Sequence, residues 1–175
     1  MNFITTEELQ AYSNKFVGDD NALLKTYCDA GMEAVRDFLR YSPESTELEC
    51  VKEGADSLYL ALDAQPVTEI LSADEDGEAI DPAEFRLGED SLIAFASRRK
   101  FRDGSLYTVK YKGGYEQVPE KIRTCALQIA AMYWERAGGN LAVNSISLAD
   151  GTRQFSNRTA DFFLNEIKGY RILRI

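Results

Sequence analysis

The chain has 175 residues, 45% of them hydrophobic and 28% charged, with a formal net charge of −9 and no histidine. That composition excludes a fibrous or wholly disordered chain, and no stretch approaches the ~20 consecutive apolar residues that cross a bilayer. The missing histidine removes Ser-His-Asp and Cys-His nucleophile pairs, His-bearing zinc sites and the ordinary general base near neutral pH, while Asp, Glu, Lys and Tyr could still do acid–base work.

The first residues, MNFITTEELQ, lack the basic-then-apolar order of a signal peptide, so the cytosol is the expected compartment. Residues 5–17 are expected to form a helix opened by a Thr5-x-x-Glu8 capping box and stopped by Gly18. A longer helix follows to residue 41, with Leu24, Cys28, Gly31, Val35, Phe38 and Leu39 in one stripe; Gly31 within it suggests another helix packed close by. Ser42-Pro43 ends it, and the acidic segment 44–57 reads as loop with an edge strand near Leu48–Val51. Strands are expected at 57–63, with Leu58, Leu60 and Leu62 on one side, and at 66–74, turning at Asp76-Gly77. Residues 84–88 and 91–96 should pair across Glu89-Asp90. Asp103-Gly104 then turns into SLYTVKYKGGY, where Tyr107, Val109 and Tyr111 face away from Leu106, Thr108 and Lys110. Pro119 suits the first turn of a helix over 119–137 with Ile122, Cys125, Ala126, Ile129, Ala130 and Tyr133 on one face and Leu127, Ala131 and Trp134 on a second, ended by Gly138-Gly139-Asn140. The polar span 140–158 reads as an exposed loop or protruding hairpin, and residues 159–168 as a last helix stopped by Gly169 before the tail YRILRI.

The expected architecture is therefore α+β and mainly α: a single domain with a bundle of about four helices and one small antiparallel sheet of about five strands inserted between the second and third helices. Cys28, Cys50 and Cys125 lie far apart without C-x-x-C spacing, which fits three reduced structural thiols.

Charge is unevenly spread. Residues 44–90 hold fifteen acids against Lys52 and Arg86, whereas residues 91–175 hold fourteen basic residues against seven acids. Asp74, Glu75, Asp76 and Glu78 are the candidate acidic face, for a channel or a neighbouring subunit, and Arg98, Arg99, Lys100 and Arg102 the candidate basic face. DEDGEAID is not a calcium loop, because Gly77 falls at loop position 4 and Phe85 at position 12, where an EF-hand needs glycine at 6 and glutamate at 12. SRRKFR is a weak nucleic-acid signal in a chain of pI ≈ 4.6. Gly113-Gly114 lacks the Lys-Ser/Thr of a phosphate loop and is read as a geometric device carrying Tyr115. No cofactor, metal or catalytic residue is indicated.

Taken together, VKYKGGYEQVPEKIRTCALQIAAMYWERAG resembles the most recognisable segment of the head–tail connector (adaptor, or head-completion) proteins of long-tailed bacteriophages and prophages. The matching positions are Gly114-Tyr115, Val118-Pro119, Ile122-Arg123, Ala126, Ala130 and Tyr133, with isoleucine at 122 for the usual leucine; the order of elements over residues 19–170 also fits. The resemblance implies a viral structural protein and not an enzyme. It would form a homo-oligomeric ring, twelvefold in the virion, below the portal, and join the DNA-filled capsid to a downstream neck or tail-completion protein. DNA would be present only in transit and no membrane would be involved. Assembly would take place in the bacterial cytoplasm, ending at the head–tail junction. The tail Tyr170, Arg171, Ile172, Leu173, Arg174 and Ile175 is the candidate portal-docking segment, since an extended end can add a strand to a neighbour's sheet. The rival readings are a small cytosolic enzyme using carboxylates and a metal, and a protein-interaction module unrelated to viruses.

Overall fold

Thr5 and Glu8 close the capping box reciprocally. The Glu8 N–H donates to Thr5 Oγ1 at 3.2 Å and the Thr5 N–H to Glu8 Oε2 at 2.9 Å, satisfying donors that a helix start leaves open. The computed structural model describes residues 2–13, 21–88, 91–137, 145–148, 151–154 and 159–172. The expected stops at Gly18 and Gly138-Gly139-Asn140, and the Glu89-Asp90 turn, lie outside these residues. Helices α1 (Thr6–Ser13) and α2 (Asn21–Leu39) are followed by β1 (Thr46–Glu53), β2 (Leu60–Ala61), β3 (Val67–Glu75), β4 (Glu78–Ile80), β5 (Phe85–Leu87), β6 (Leu92–Phe95) and β7 (Leu106–Gly113). Then come α3 (Glu120–Ala137), β8 (Ser145–Leu148), β9 (Gly151–Gln154), α4 (Ala160–Leu164) and a 3-10 helix over Asn165–Tyr170. The chain divides into two compact units, Met1–Phe38 with Pro119–Tyr170, and Leu39–Val118 with Arg171–Ile175.

The first unit is helical. Leu24, Cys28, Met32 and Val35 of α2 are buried, as are Ile122, Cys125, Ala126, Ile129 and Ala130 of α3; each large aliphatic side chain so buried contributes roughly 2 kcal/mol. A Cβ on Gly31 would stand 2.6 Å from the Ala126 carbonyl oxygen and 3.0 Å from the Ala130 Cβ, so the close helix that this glycine suggests is α3. The last helix is shorter than expected: α4 ends at Leu164, and the 3-10 turns continue through Gly169 instead of stopping before it. Phe163, Leu164 and Ile167 are buried from this segment. Within the polar span, β8 and β9 pair as a two-stranded sheet, with Ser145 opposite Gln154 and Leu148 opposite Gly151.

The second unit overturns the expected fold class. Its strands make two antiparallel sheets, of order β1-β7-β3-β4 and β2-β6-β5, where a mainly α bundle with one small insert was expected. The edge strand expected near Leu48–Val51 is present and longer than expected, and the strands divide between two sheets where one was expected. Glutamate has low β propensity, yet the strand extends to both sides of Leu48–Val51 and pairs residue for residue with β7 from Thr46↔Gly113 to Glu53↔Leu106. Conversely, the alternating SLYLALD yields only the two-residue β2, and Leu58 is exposed. Other expectations hold. Asp76 (φ 53°) and Gly77 (φ 87°) make the two-residue turn between Glu75 and Glu78, β5 pairs with β6, and Tyr107, Val109 and Tyr111 are the buried side of β7.

Candidate functional site

Three regions carry the residues singled out by sequence: the charged turn of the β unit, the Gly-Tyr…Val-Pro…Ile-Arg motif and the C-terminal tail. In the first, β7 supplies two buried tyrosines whose hydroxyls work as pegs. Tyr111 accepts the Asp63 N–H at 3.1 Å. Tyr107 accepts the Arg102 N–H at 2.9 Å and donates to Glu75 Oε1 at 2.7 Å. Burial pushes the Tyr111 hydroxyl up to about 12. Burial first, and then the bond to Glu75, raises that of Tyr107. Phe101 packs edge-on to Tyr107 at 5.0 Å and against Phe95 at 4.7 Å.

This arrangement brings the candidate acidic and basic faces together within one chain. The Glu75 side chain, only 11% exposed, holds Arg99 at 3.1 Å and Arg102 at 3.7 Å, while Arg99 also lies over the Phe95 ring at 4.1 Å. Lys100 pairs with Asp56 at 2.7 Å across exposed surface, a contact worth little in water. Asp76 Oδ1 accepts the Leu106 N–H at 2.9 Å. That bond, followed by one from the Ser105 side chain, lowers its carboxyl below the usual range. Glu75, Asp76 and the half-buried Asp74, whose Oδ1 accepts the Gly77 N–H at 3.3 Å, therefore hold the turn together, whereas Glu78 and Arg98 are exposed. Sequence reasoning missed Tyr107 and Tyr111 as the organisers. The available signal was two tyrosines at alternate positions on the buried side of a strand, since a buried hydroxyl requires a partner.

The motif residues do structural work. Gly114 has φ 97°, and a Cβ there would stand 2.3 Å from the Glu44 carbonyl oxygen. Its N–H donates to Pro66 O at 2.9 Å, and the next N–H, of Tyr115, donates to Pro43 O at 2.8 Å. Tyr115 O accepts the Ser45 N–H at 3.0 Å, so the segment after β7 is stitched to the one before β1. Gly113 is still part of the ladder; it sits opposite both Thr46 and Val67, and a Cβ on it would press on Ala64 at 2.6 Å. Val118 is half-buried. In the helical unit, Pro119 O accepts the N–H groups of Ile122 (2.9 Å) and Arg123 (3.1 Å), and Ile122 is fully buried. The Arg123 guanidinium spans α3, α1 and the N-terminal segment: Nε donates to Phe3 O at 3.0 Å, one terminal nitrogen to Glu120 at 3.2 Å and the other to Glu8. Glu8 thus serves the cap of α1 and the clamp at once.

Of the tail, Tyr170 ends the 3-10 helix, Arg171 and Ile172 are half-buried, and the Ile172 N–H donates to Leu39 O at 3.3 Å. Leu173, Arg174 and Ile175 lie outside the described residues. Cys28, Cys50 and Cys125 are buried free thiols. Desolvation is the main cause raising the first two to about 11 and the third to about 12, and a thiol so raised is a poor nucleophile and metal ligand. Among the described residues no three Cys, Asp or Glu side chains gather as metal ligands do.

Most of the singled-out polar residues that are described, Glu75, Asp76, Arg99, Arg102 and Arg123 among them, hold the protein's own turns and helices. A sequence model of the head completion proteins matches residues 2–171, and the chain belongs to that family. As a head completion protein it is a structural part of a virion, in the role of a head–tail connector. Its fold is similar to a chain in the neck of an empty gene transfer agent particle computed with C6 symmetry, with TM-score 0.66 and 15% identity over 98% of this chain and 91% of that one. A chain from the virion of a native gene transfer agent particle is similar to the same degree, with TM-score 0.66 and 14% identity over the same shares. No curated protein matches.

Proposed function

We propose that the chain is one subunit of a closed homo-oligomeric ring seated between the portal and the next neck or tail-completion protein, with DNA passing through its centre. In this reading it catalyses no reaction and is built in the host cytoplasm. The observation that carries the reading is the family match over residues 2–171; the fold shared with a neck component supports it.

The surfaces named from sequence serve this reading in narrowed form. Glu75, Arg99 and Arg102 are paired within the chain and Asp76 is bonded to Leu106, so the charge left for neighbours or a channel wall is that of Asp74, whose carboxylate bonds the uncharged Gly77 N–H, and of Glu78, Arg98 and Lys100, whose pair with Asp56 is exposed. Negative charge on a channel wall repels phosphates and lets DNA slide. Residues 170–175 are the portal-docking tail.

The experiment is deletion of the gene from a phage or prophage that encodes it, with electron microscopy of the particles. DNA-filled, tailless heads that gain tails on complementation are expected. Complete particles without the chain would overturn the reading. Complementation with Asp74→Asn/Glu78→Gln and with a 170–175 deletion then separates DNA passage from portal docking.

A further inference from the structure

Among the described residues β1 is the longest sheet edge. It lies at one end of the four-stranded sheet, pairs through all eight residues with β7 without a register shift, and contains no proline. The other strands at sheet ends in the β unit are short: β4 and β5 have three residues each and β2 has two. Short edges are protected by their length, whereas a long regular one presents a row of N–H and C=O groups to any extended chain. β1 is instead marked by charge. Glu47, Glu49 and Glu53 are exposed on one face, so two copies of β1 laid edge to edge would bring glutamates against each other. That repulsion selects against self-pairing and in favour of a strand without acids.

The same chain carries such a strand. The β8–β9 hairpin is a two-stranded sheet of its own, four residues on each side. A two-stranded ribbon is marginal in water, and a third strand alongside completes it. By sequence neither SISL nor GTRQ holds an acid, and β9 holds one base, Arg153.

We infer that β9 of one copy adds to the open edge of β1 in the neighbouring copy, joining the hairpin and the four-stranded sheet into one sheet that crosses the subunit boundary. This rests on the ring reading, since the partner is taken to be a second copy. Donor and acceptor are different segments, so the contact is heterologous, and repetition of it closes a ring. Main-chain bonds supply the affinity, and the glutamates of β1 set the choice of partner strand.

The test places one cysteine on each side, Val51→Cys on the exposed face of β1 and Thr152→Cys in β9, in the full chain assembled alone or on its portal. The native thiols are buried and stay protonated near about pH 8, so they do not compete. Mild oxidation is expected to give a ladder of covalent multimers only when both cysteines are present. Arg153→Glu is expected to weaken assembly about tenfold or more, and combining it with Glu47→Lys/Glu53→Lys is expected to restore it. Rings that stay intact by mass photometry with no ladder, or with the hairpin replaced by a Gly-Ser linker, would overturn the inference and leave the ring reading standing. A wild-type chain that forms no multimer alone or with the portal would overturn both.

Discussion

Gly31 in the helical unit and Gly114 in the β unit both stand where a Cβ has no room, 2.6 Å from the Ala126 carbonyl oxygen in one case and 2.3 Å from that of Glu44 in the other. Only Gly114 also has a positive φ, 97°. Gly31 is thus a packing glycine: it lets two helices of ordinary geometry approach, and the rest of α2 would be unchanged without it. Gly114 is a conformational glycine, because the chain can leave β7 and run back along the Pro43–Ser45 segment only by passing through a left-handed residue. The helical unit depends on fit between surfaces, whereas the β unit depends on a backbone path.

That contrast is testable by substitution, and the largest effect is expected in the β unit. Gly114→Ala brings left-handed strain of roughly 1–2 kcal/mol and displaces the Glu44 carbonyl, a further cost of the overpacking kind. A loss of about 3 kcal/mol in urea unfolding is expected; a loss below about 1 kcal/mol would show that the path is not fixed at this residue. Next is Arg123→Ala, which removes bonds to Phe3 O and to Glu8 while leaving both partners half-buried or buried. About 2 kcal/mol is expected. Arg123→Lys should recover less than half, since an ammonium cannot span the fork; full recovery by lysine would reduce the clamp to a simple charge. Gly31→Ala has a smaller net effect because two contributions oppose. Helix propensity gains about 1 kcal/mol while the clash with a main-chain oxygen loses roughly 1–3 kcal/mol. A net loss of about 1 kcal/mol is expected by the same measurement, and a net gain would mean that α2 and α3 can move apart at that point.

The same contrast explains which parts of the molecule were legible in the sequence. Helical features are encoded within a turn or two, so the Thr5–Glu8 box, the stripe from Leu24 to Leu39 and the closeness at Gly31 could all be read locally. The hairpin turn at Asp76-Gly77 and the two sides of β7 could be read for the same reason. What could not be read was pairing between distant strands. An edge strand near Leu48–Val51 could be read, but its full length from Thr46 to Glu53 and its partner could not, because both are set by β7, some sixty places on, which offers an unbroken register. Likewise the acidic and basic stretches look like separate faces along the chain, yet Glu75 and Arg99 meet because the Tyr107 hydroxyl draws Glu75 and the Arg102 N–H to one point. The Gly114-Tyr115…Ile122-Arg123 motif was visible as a pattern, but its work, a backbone stitch in one unit and a guanidinium clamp in the other, required coordinates.

The smallest effect concerns the buried thiols and appears only at alkaline pH. Desolvation holds the folded-state values of Cys28 and Cys125 at about 11 and about 12, above the 9.0 of an exposed thiol. Above about pH 9 the unfolded chain gives up these protons and the folded chain keeps them. Unfolding is therefore favoured more with each rise in pH, until the folded thiols also ionise. Their stabilising contribution is complete below about pH 9 and is lost as pH climbs toward about 12. In the β unit Cys50, at about 11, starts its loss in the same region, but Tyr111 begins only above its ordinary 10.0. Cys125→Ala also changes packing, which shifts stability by a fixed amount at every pH, so the readout is slope and not level. Unfolding free energy followed from about pH 8 to 10 should fall less steeply in the variant than in the wild type. An unchanged slope would mean that Cys125 is as wet in the folded protein as in the unfolded one, and with it the tight fit of α3 against its neighbours would have to be abandoned.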